Sequence, residues 1–269
     1  MDQIKIRPAI EGDAAQIADL FCRDFHPAIR QLLIYGCAGA ANYIRRQIAS
    51  RTSFADSAYF IAQSKDRAIA AVELRQSPDG THLNYIAVHP DYQRRHMGTE
   101  LFLTALRMCS PPMGRVSLDV FDDNLRALRW YGRLGFRVRQ TSELIELMTM
   151  ARESAGRTFL SGLPQADLCQ ESFGFSEFRI ITKQGKYPVG RIGEQWFRLT
   201  DPASFSDPSV FTGLKMLDCG RRIFAVAPAS TVPPKQVVRT MATMHRMDVE
   251  IRRLLSSLIN DCEKSRESA

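Results

Sequence analysis

Residues 83–106 read LNYIAVHPDYQRRHMGTELFLTAL, and this stretch decides the fold. Leu83, Tyr85, Ile86 and Val88 open it as a buried strand, and His89-Pro90 ends that strand. Residues 93–99 are polar and cationic and include Gly98, after which Leu101, Phe102, Ala105 and Leu106 recur at helical spacing. The first amides of a helix lack intrahelical acceptors and carry the positive end of its dipole, so such a strand–loop–helix is an anion cradle. Arg94, Arg95 and His96 lie beside those amides, which makes a polyphosphate the fitting guest. Two common phosphate loops are excluded. No GxxxxGK followed by Ser or Thr occurs, and no GxGxxG opens a strand–helix unit.

The run Gln93-Arg94-Arg95-His96-Met97-Gly98 resembles the pyrophosphate loop of the Gcn5-related N-acetyltransferase superfamily, Gln/Arg-x-x-Gly-x-Gly/Ala. His96 stands where that family usually has glycine. A later stretch, 117–138 (SLDVFDDNLRALRWYGRLGFRV), is similar to the family's second motif, N-x-x-A-x-x-x-Y-x-x-x-G-F, through Asn124, Ala127, Tyr131, Gly135 and Phe136. The opening IRPAIEGDAAQIADLF also looks like the start of such a domain.

The resemblance covers residues 1–150 and implies an α/β chain with an α+β mixed sheet, the acyl-CoA N-acyltransferase fold. It implies acetyl-CoA as co-substrate, with no metal, and direct transfer of the acetyl group to a primary amine. Backbone groups of Ile86, Ala87 and Val88 would pair with the pantetheine arm like an added strand. Gln93, Arg94, Arg95, His96, Met97, Gly98 and Thr99 would form the pyrophosphate loop. Asn124 would cap the following helix and meet the cofactor arm. A negative φ at His96 is expected, because its side chain is then tolerated without strain.

Tyr131 matches the family tyrosine whose hydroxyl protonates the leaving sulfur. Packing beside Trp130 and Phe136 is its other use. The base is open. Many relatives carry a glutamate on the strand before the loop, where this chain has Asn84, and an amide cannot accept the proton. Glu73 on the adjacent strand, His82, and a water relay are the alternatives.

The chain has 269 residues, enough for two domains, and 45% hydrophobic with 24% charged residues is ordinary globular composition. No apolar run reaches a membrane span and no signal-peptide core opens the chain, which sets a cytoplasmic expectation. The six cysteines are scattered without zinc-ligand spacing and read as free thiols. A net charge of +7 without a basic block suits an anionic cofactor and marks no nucleic-acid stripe.

Strands are predicted at 3–7, 57–62 and 68–75, the last two joined at Lys65-Asp66, with 77–80 turning into the strand of the loop. A first helix carries Ile17, Leu20 and Phe21, and helical pattern recurs over 28–49 with breaks near Gly36 and Gly39. In the family this region walls the acceptor pocket. Its mixed charge carries no acidic run, so a small-molecule amine is favoured over a polycationic protein.

Residues 151–170 read as a linker, and 171–269 as a smaller α+β domain with strands at 173–181, 187–192, 195–199 and 223–227. No second cofactor motif appears, and the segment is short for a second acetyltransferase unit. A long amphipathic helix is expected over 235–264, its seam of Met241, Met244, Ile251, Leu255, Leu258 and Cys262 interrupted by Asp248. Three functions stand open: an N-acetyltransferase, a non-catalytic coenzyme A sensor, and an interaction or homodimer-forming protein that uses this helix.

Overall fold

The computed structural model describes residues 4–50, 57–77, 80–109, 114–148, 157–231 and 234–267. The chain begins β1 (Ile4–Pro8), α1 (Ala14–Arg23), α2 (Pro27–Arg30) and α3 (Ala40–Ala49). Then come β2 (Ser57–Ser64), β3 (Arg67–Ser77), β4 (Gly80–Val88), α4 (Met97–Met108), β5 (Arg115–Phe121), α5 (Leu125–Arg133) and β6 (Arg137–Leu147). The second half runs β7 (Phe159–Ser161), α6 (Leu163–Phe173), β8 (Phe175–Ile181), β9 (Lys186–Ile192) and β10 (Trp196–Leu199). It ends with α7 (Pro202–Phe205), α8 (Pro208–Leu217), β11 (Arg222–Ala227), β12 (Val237–Glu250) and α9 (Ile251–Glu267). No helix among the described residues is long and apolar enough to cross a membrane.

Two compact units result. The first comprises Met1–Phe25, Ala41–Gln140 and His245–Ala269, the second His26–Ala40 and Thr141–Met244. These boundaries differ from the expected 1–150 and 171–269.

In the first unit β1, β2, β3 and β4 pair antiparallel in sequence order, and β5 joins β4 in parallel. The final residues of β12 and the first of β6 follow in the strand order. One face is covered by α4 and α9, whose Leu101, Phe102, Leu106, Leu254 and Leu258 are buried with Val72, Leu74, Leu83 and Leu118. On the other face α1 packs over β3 and β4, with the Phe21 and Tyr85 rings 5.4 Å apart. Strand alternation therefore gives Glu73, Arg75, His82, Tyr85, Ser117, Asp119 and Phe121 to the α1 face.

The second unit has its own core, built on Phe178, Val189, Phe197, Phe205, Phe211 and Phe224's neighbours Ile223 and Ala225. Here β7 pairs antiparallel with β8, β8 with β9 and β9 with β10, and β10 pairs in parallel with β11 across α8. That is the connectivity of β1 to β5. The second unit is the smaller α+β domain expected, and it repeats the strand plan of the first in fewer residues. The repeat is silent in sequence because α8, in the place of α4, does not open on a cationic loop. Where α4 begins with cations, α8 begins with Asp207, a fully buried carboxylate that accepts from the Ser209 amide at 2.9 Å and Thr182 Oγ1 at 2.6 Å.

Two further expectations are overturned. The described part of the linker, 157–170, holds β7 and most of α6. The helix expected over 235–264 is strand β12 as far as Glu250 and helix α9 only from Ile251. Met241 and Met244 mimic a helical seam, but Val237, Val238, Thr240, Thr243 and Val249 are β-branched, and Met247 and Val249 alternate into the core. Asp248 interrupts nothing. It points to the other side of the strand and binds Arg115 Nε at 2.9 Å and Arg139 Nε at 2.8 Å. The apolar stripe of α9 (Ile251, Leu254, Leu255, Leu258, Ile259, Cys262) packs into the first unit's core, which removes it as a free docking or dimer face.

Candidate active site

The site begins where β4 and β5 part. Their parallel pairing runs from Gly80↔Arg115 to Leu83↔Leu118 and stops. Beyond it β4 keeps only β3 as a ladder partner, so the edge of 84–88, including Ile86, Ala87 and Val88, has no strand on its other side among the described residues. A bulge falls at the same place. Tyr85 pairs with Glu73 and Leu83 with Leu74, which leaves Asn84 as the extra residue. Phe25, just after α1, meets both parted strands, its ring 5.6 Å from Tyr85 and 6.1 Å from Phe121.

At the far end of β4 the chain makes a 3-10 turn at Pro90–Tyr92 and the 93–96 loop, then enters α4. Gln93 closes the loop onto the strand by donating to the Val88 carbonyl at 2.8 Å, and its side-chain carbonyl accepts from Arg126. Helix bonding starts with the Glu100 amide on the His96 carbonyl, so the amides of 94–99 have no backbone acceptor among the described residues. Arg94, Arg95 and His96 are exposed, and Arg95 lies over the Tyr92 ring. Met97 turns its side chain into the core and offers only its amide.

His96 departs from expectation. Its φ is +56°, in the left-handed region, and Arg94 has φ +63°. The loop needs two positive-φ residues so that successive amides converge, and neither is glycine. Gly98 is in ordinary helical conformation with a Cβ position that has room, so no backbone freedom is asked of it.

Asn124 has the expected capping role, its Oδ1 accepting from the Ala127 amide at 3.1 Å. Tyr131 on α5 is buried, its ring 4.9 Å from Trp130 and 5.6 Å from Phe136. Burial, and then the Asp24 carboxylate, push its hydroxyl well above the ordinary phenol range. Asp24 ends α1 with an exposed side chain, yet enough protein surrounds it to raise its pKa by desolvation, against the pull of Arg126.

Glu73 is fully buried on β3. Its carboxylate accepts from Asn84 Nδ2 at 2.6 Å, Arg75 Nε at 2.9 Å and Ser57 Oγ at 3.2 Å. These three donors and its full burial close the carboxylate off from a substrate. Asn84 thus holds Glu73 across the bulge. Glu73→Ala is expected to lower unfolding free energy by about 3–5 kcal/mol, because it strands the Arg75 and Asn84 donors, and Glu73→Gln by about half that. Urea unfolding measures both.

His82 lies one residue before the parting and is partly open, with 23% of its side chain exposed. Its Nδ1 is 3.0 Å from Ser117 Oγ, and its Nε2 is 3.8 Å from Asp119 Oδ2. Arg246, on β12, binds Asp119 with both prongs at 2.5 and 2.8 Å. Burial depresses the His82 pKa, aided by Arg246 and Arg75 and opposed by Asp119 and Glu73. Phe25, Asp24, Ser117, Asp119 and Arg246 were not singled out from sequence. Strand parity in SLDVF carries a signal for Ser117 and Asp119, whereas nothing local announces Arg246.

A helix start with free amides and cations stands beside a strand edge left open by a parallel pair. Residues 16–136 match the model of the acetyltransferase (GNAT) family. Solved structures share the fold across both units. A tandem GNAT protein from the clavulanic acid biosynthesis pathway superposes with a TM-score of 0.65 at 10% identity, covering 93% of this chain and 99% of that one. A candidate acetyltransferase from Pyrococcus horikoshii gives 0.61 at 15% identity, covering 92% and 89%. A GCN5-related N-acetyltransferase from Sphaerobacter thermophilus gives 0.57 at 12%, covering 93% and 96%. No curated protein matches the chain in sequence.

Proposed function

We propose that the first unit is an acetyl-coenzyme A-dependent N-acetyltransferase that acts on a small-molecule primary amine. The observation that carries this reading is the pairing of the acceptor-free amides of 94–99 with the open 84–88 edge of β4. The first suits a pyrophosphate and the second an amide-bearing arm, and Arg94 and Arg95 supply charge that a passive helix start lacks. Acetyl-coenzyme A supplies the acyl group as an activated thioester.

His82 is the base we assign in place of Glu73. With Nδ1–H on Ser117 Oγ, the Nε2 lone pair is free to take the proton of an ammonium, and Asp119 then faces the imidazolium. Depression of its pKa keeps His82 neutral, hence ready, at pH 7. Tyr131 keeps its proton at neutral pH and gives it to the sulfur as the carbon–sulfur bond breaks and the carbon–nitrogen bond forms. Asp24, beside Tyr131, offers a carboxylate suited to the cationic amine before it is deprotonated.

Calorimetric titration with acetyl-coenzyme A tests the reading. Binding is expected to weaken about a hundredfold or more in Arg94→Ala/Arg95→Ala, the loss of two charge-assisted phosphate contacts at about 1.5 kcal/mol or more each. Thiol release against a panel of amines then identifies the acceptor. A folded protein that binds no acetyl-coenzyme A removes the proposal.

A further inference from the structure

The loop of 93–96 has a partner far away in the chain. Asp261, on α9, accepts from Thr99 Oγ1 at 2.9 Å, and the same oxygen lies 3.7 Å from His96 Nδ1. Thr99 is the third residue of α4 and is nearly inaccessible, whereas His96 immediately precedes that helix and has 44% of its side chain exposed. The contact is anchored from behind by the packing of Leu254 and Leu258 of α9 in the same core as Leu101 and Phe102 of α4.

This carboxylate is oddly placed for its surroundings. A second anion at the start of α4 opposes a bound phosphate electrostatically, so a purely charge-based design would leave it out. His96 supplies the reason for it. An L-residue with positive φ is strained, and such strain persists where surrounding contacts over-determine the conformation. Glycine would hold this geometry without support. With histidine, the free amides keep their direction only if something fixes the ring and the first turn of the helix, and Asp261 touches both.

We infer that Asp261 is a positioning residue for the coenzyme A loop, holding His96 in the left-handed conformation through His96 Nδ1 and Thr99 Oγ1 and so taking the role that glycine plays without help. The inference rests on the phosphate-loop reading above for its ligand, while the Asp261–His96 coupling stands on geometry within the first unit. The C-terminal helix is thereby part of the cofactor site. It reaches that site through one carboxylate.

The test compares wild type with Asp261→Ala, Asp261→Asn, His96→Gly and Asp261→Ala/His96→Gly by titration with coenzyme A. Asp261→Ala is expected to weaken binding about tenfold, the left-handed penalty of an unsupported residue converted to affinity. Asp261→Asn keeps an acceptor for Thr99 Oγ1 and loses the charge, so its affinity is expected to stay within about twofold of wild type. In the His96→Gly background, adding Asp261→Ala is expected to change affinity by less than about twofold, a double-mutant coupling that a general loosening of α9 does not produce. Thermal unfolding without ligand should show the same coupling, with His96→Gly recovering most of the midpoint lost in Asp261→Ala.

Equal affinity in wild type and Asp261→Ala, or a loss that persists undiminished with glycine at 96, overturns the inference. Wild type that fails to bind coenzyme A overturns the phosphate-loop reading instead, and the unfolding midpoints then still decide whether Asp261 supports His96.

Discussion

Replacing Tyr131 by phenylalanine is expected to lower the turnover number for acetyl transfer by about 10²–10⁴-fold, the usual range for loss of one general acid. The dissociation constant for coenzyme A should move by less than about threefold, because the ring and its contacts with Trp130 and Phe136 remain. The size of the effect follows from the hydroxyl's surroundings. Burial and the neighbouring Asp24 disfavour the phenolate, so Tyr131 holds its proton throughout the physiological range and can donate it to a departing sulfur. An acid with that pKa adds no alkaline limb near neutrality, and the wild-type profile should show none that Tyr131→Phe abolishes. Steady-state rates beside calorimetric binding separate the two roles. An unchanged turnover number would mean that Tyr131 only packs.

Much of the first unit was readable because its strand, loop and helix are written in contiguous residues. The stretch 83–106 spells strand, cationic loop and helix in one run, and the loop's free amides fall where that order requires. The cap at Asn124 was equally local. What sequence concealed is what tertiary pairing decides. The φ of His96 cannot be told from its neighbours, since the Asp261 carboxylate beside it is supplied from α9, far along the chain. Glu73 looked available as a base because its burial depends on Asn84 and Arg75 closing over it at the bulge.

The second unit illustrates the same limit at larger scale. Its strand plan repeats the first, but strand order is set by non-local pairing, and the one local marker of the plan is missing because Asp207 occupies the start of α8. The Val-, Thr- and Met-rich run of 237–250 satisfied a helical spacing as well as a strand alternation. Sheet neighbours on both sides selected the strand.

The second large effect belongs to His82, and its signature is the pH profile. The neutral imidazole is the working form, and burial depresses its pKa below the ordinary value of about 6.5. Wild-type kcat/KM should therefore fall on acidification only below about pH 6.5, as the base becomes protonated. A separate and higher limb comes from the acceptor's own ammonium, which must lose its proton whatever the enzyme carries. His82→Gln retains a hydrogen-bonding partner for Ser117 and cannot take up a proton. It is expected to lower the plateau about 10²-fold and erase the lower limb while leaving the upper one in place. Stability carries the same sign. A histidine with a depressed folded-state pKa binds fewer protons folded than unfolded, so its contribution is complete above the unfolded pKa and fades as pH falls through the folded one. Acid unfolding of His82→Gln should begin at lower pH than that of wild type. If the lower limb survives in His82→Gln, the proton goes elsewhere, and Asp24 becomes the group to replace, since it is the carboxylate that the structure couples to Tyr131.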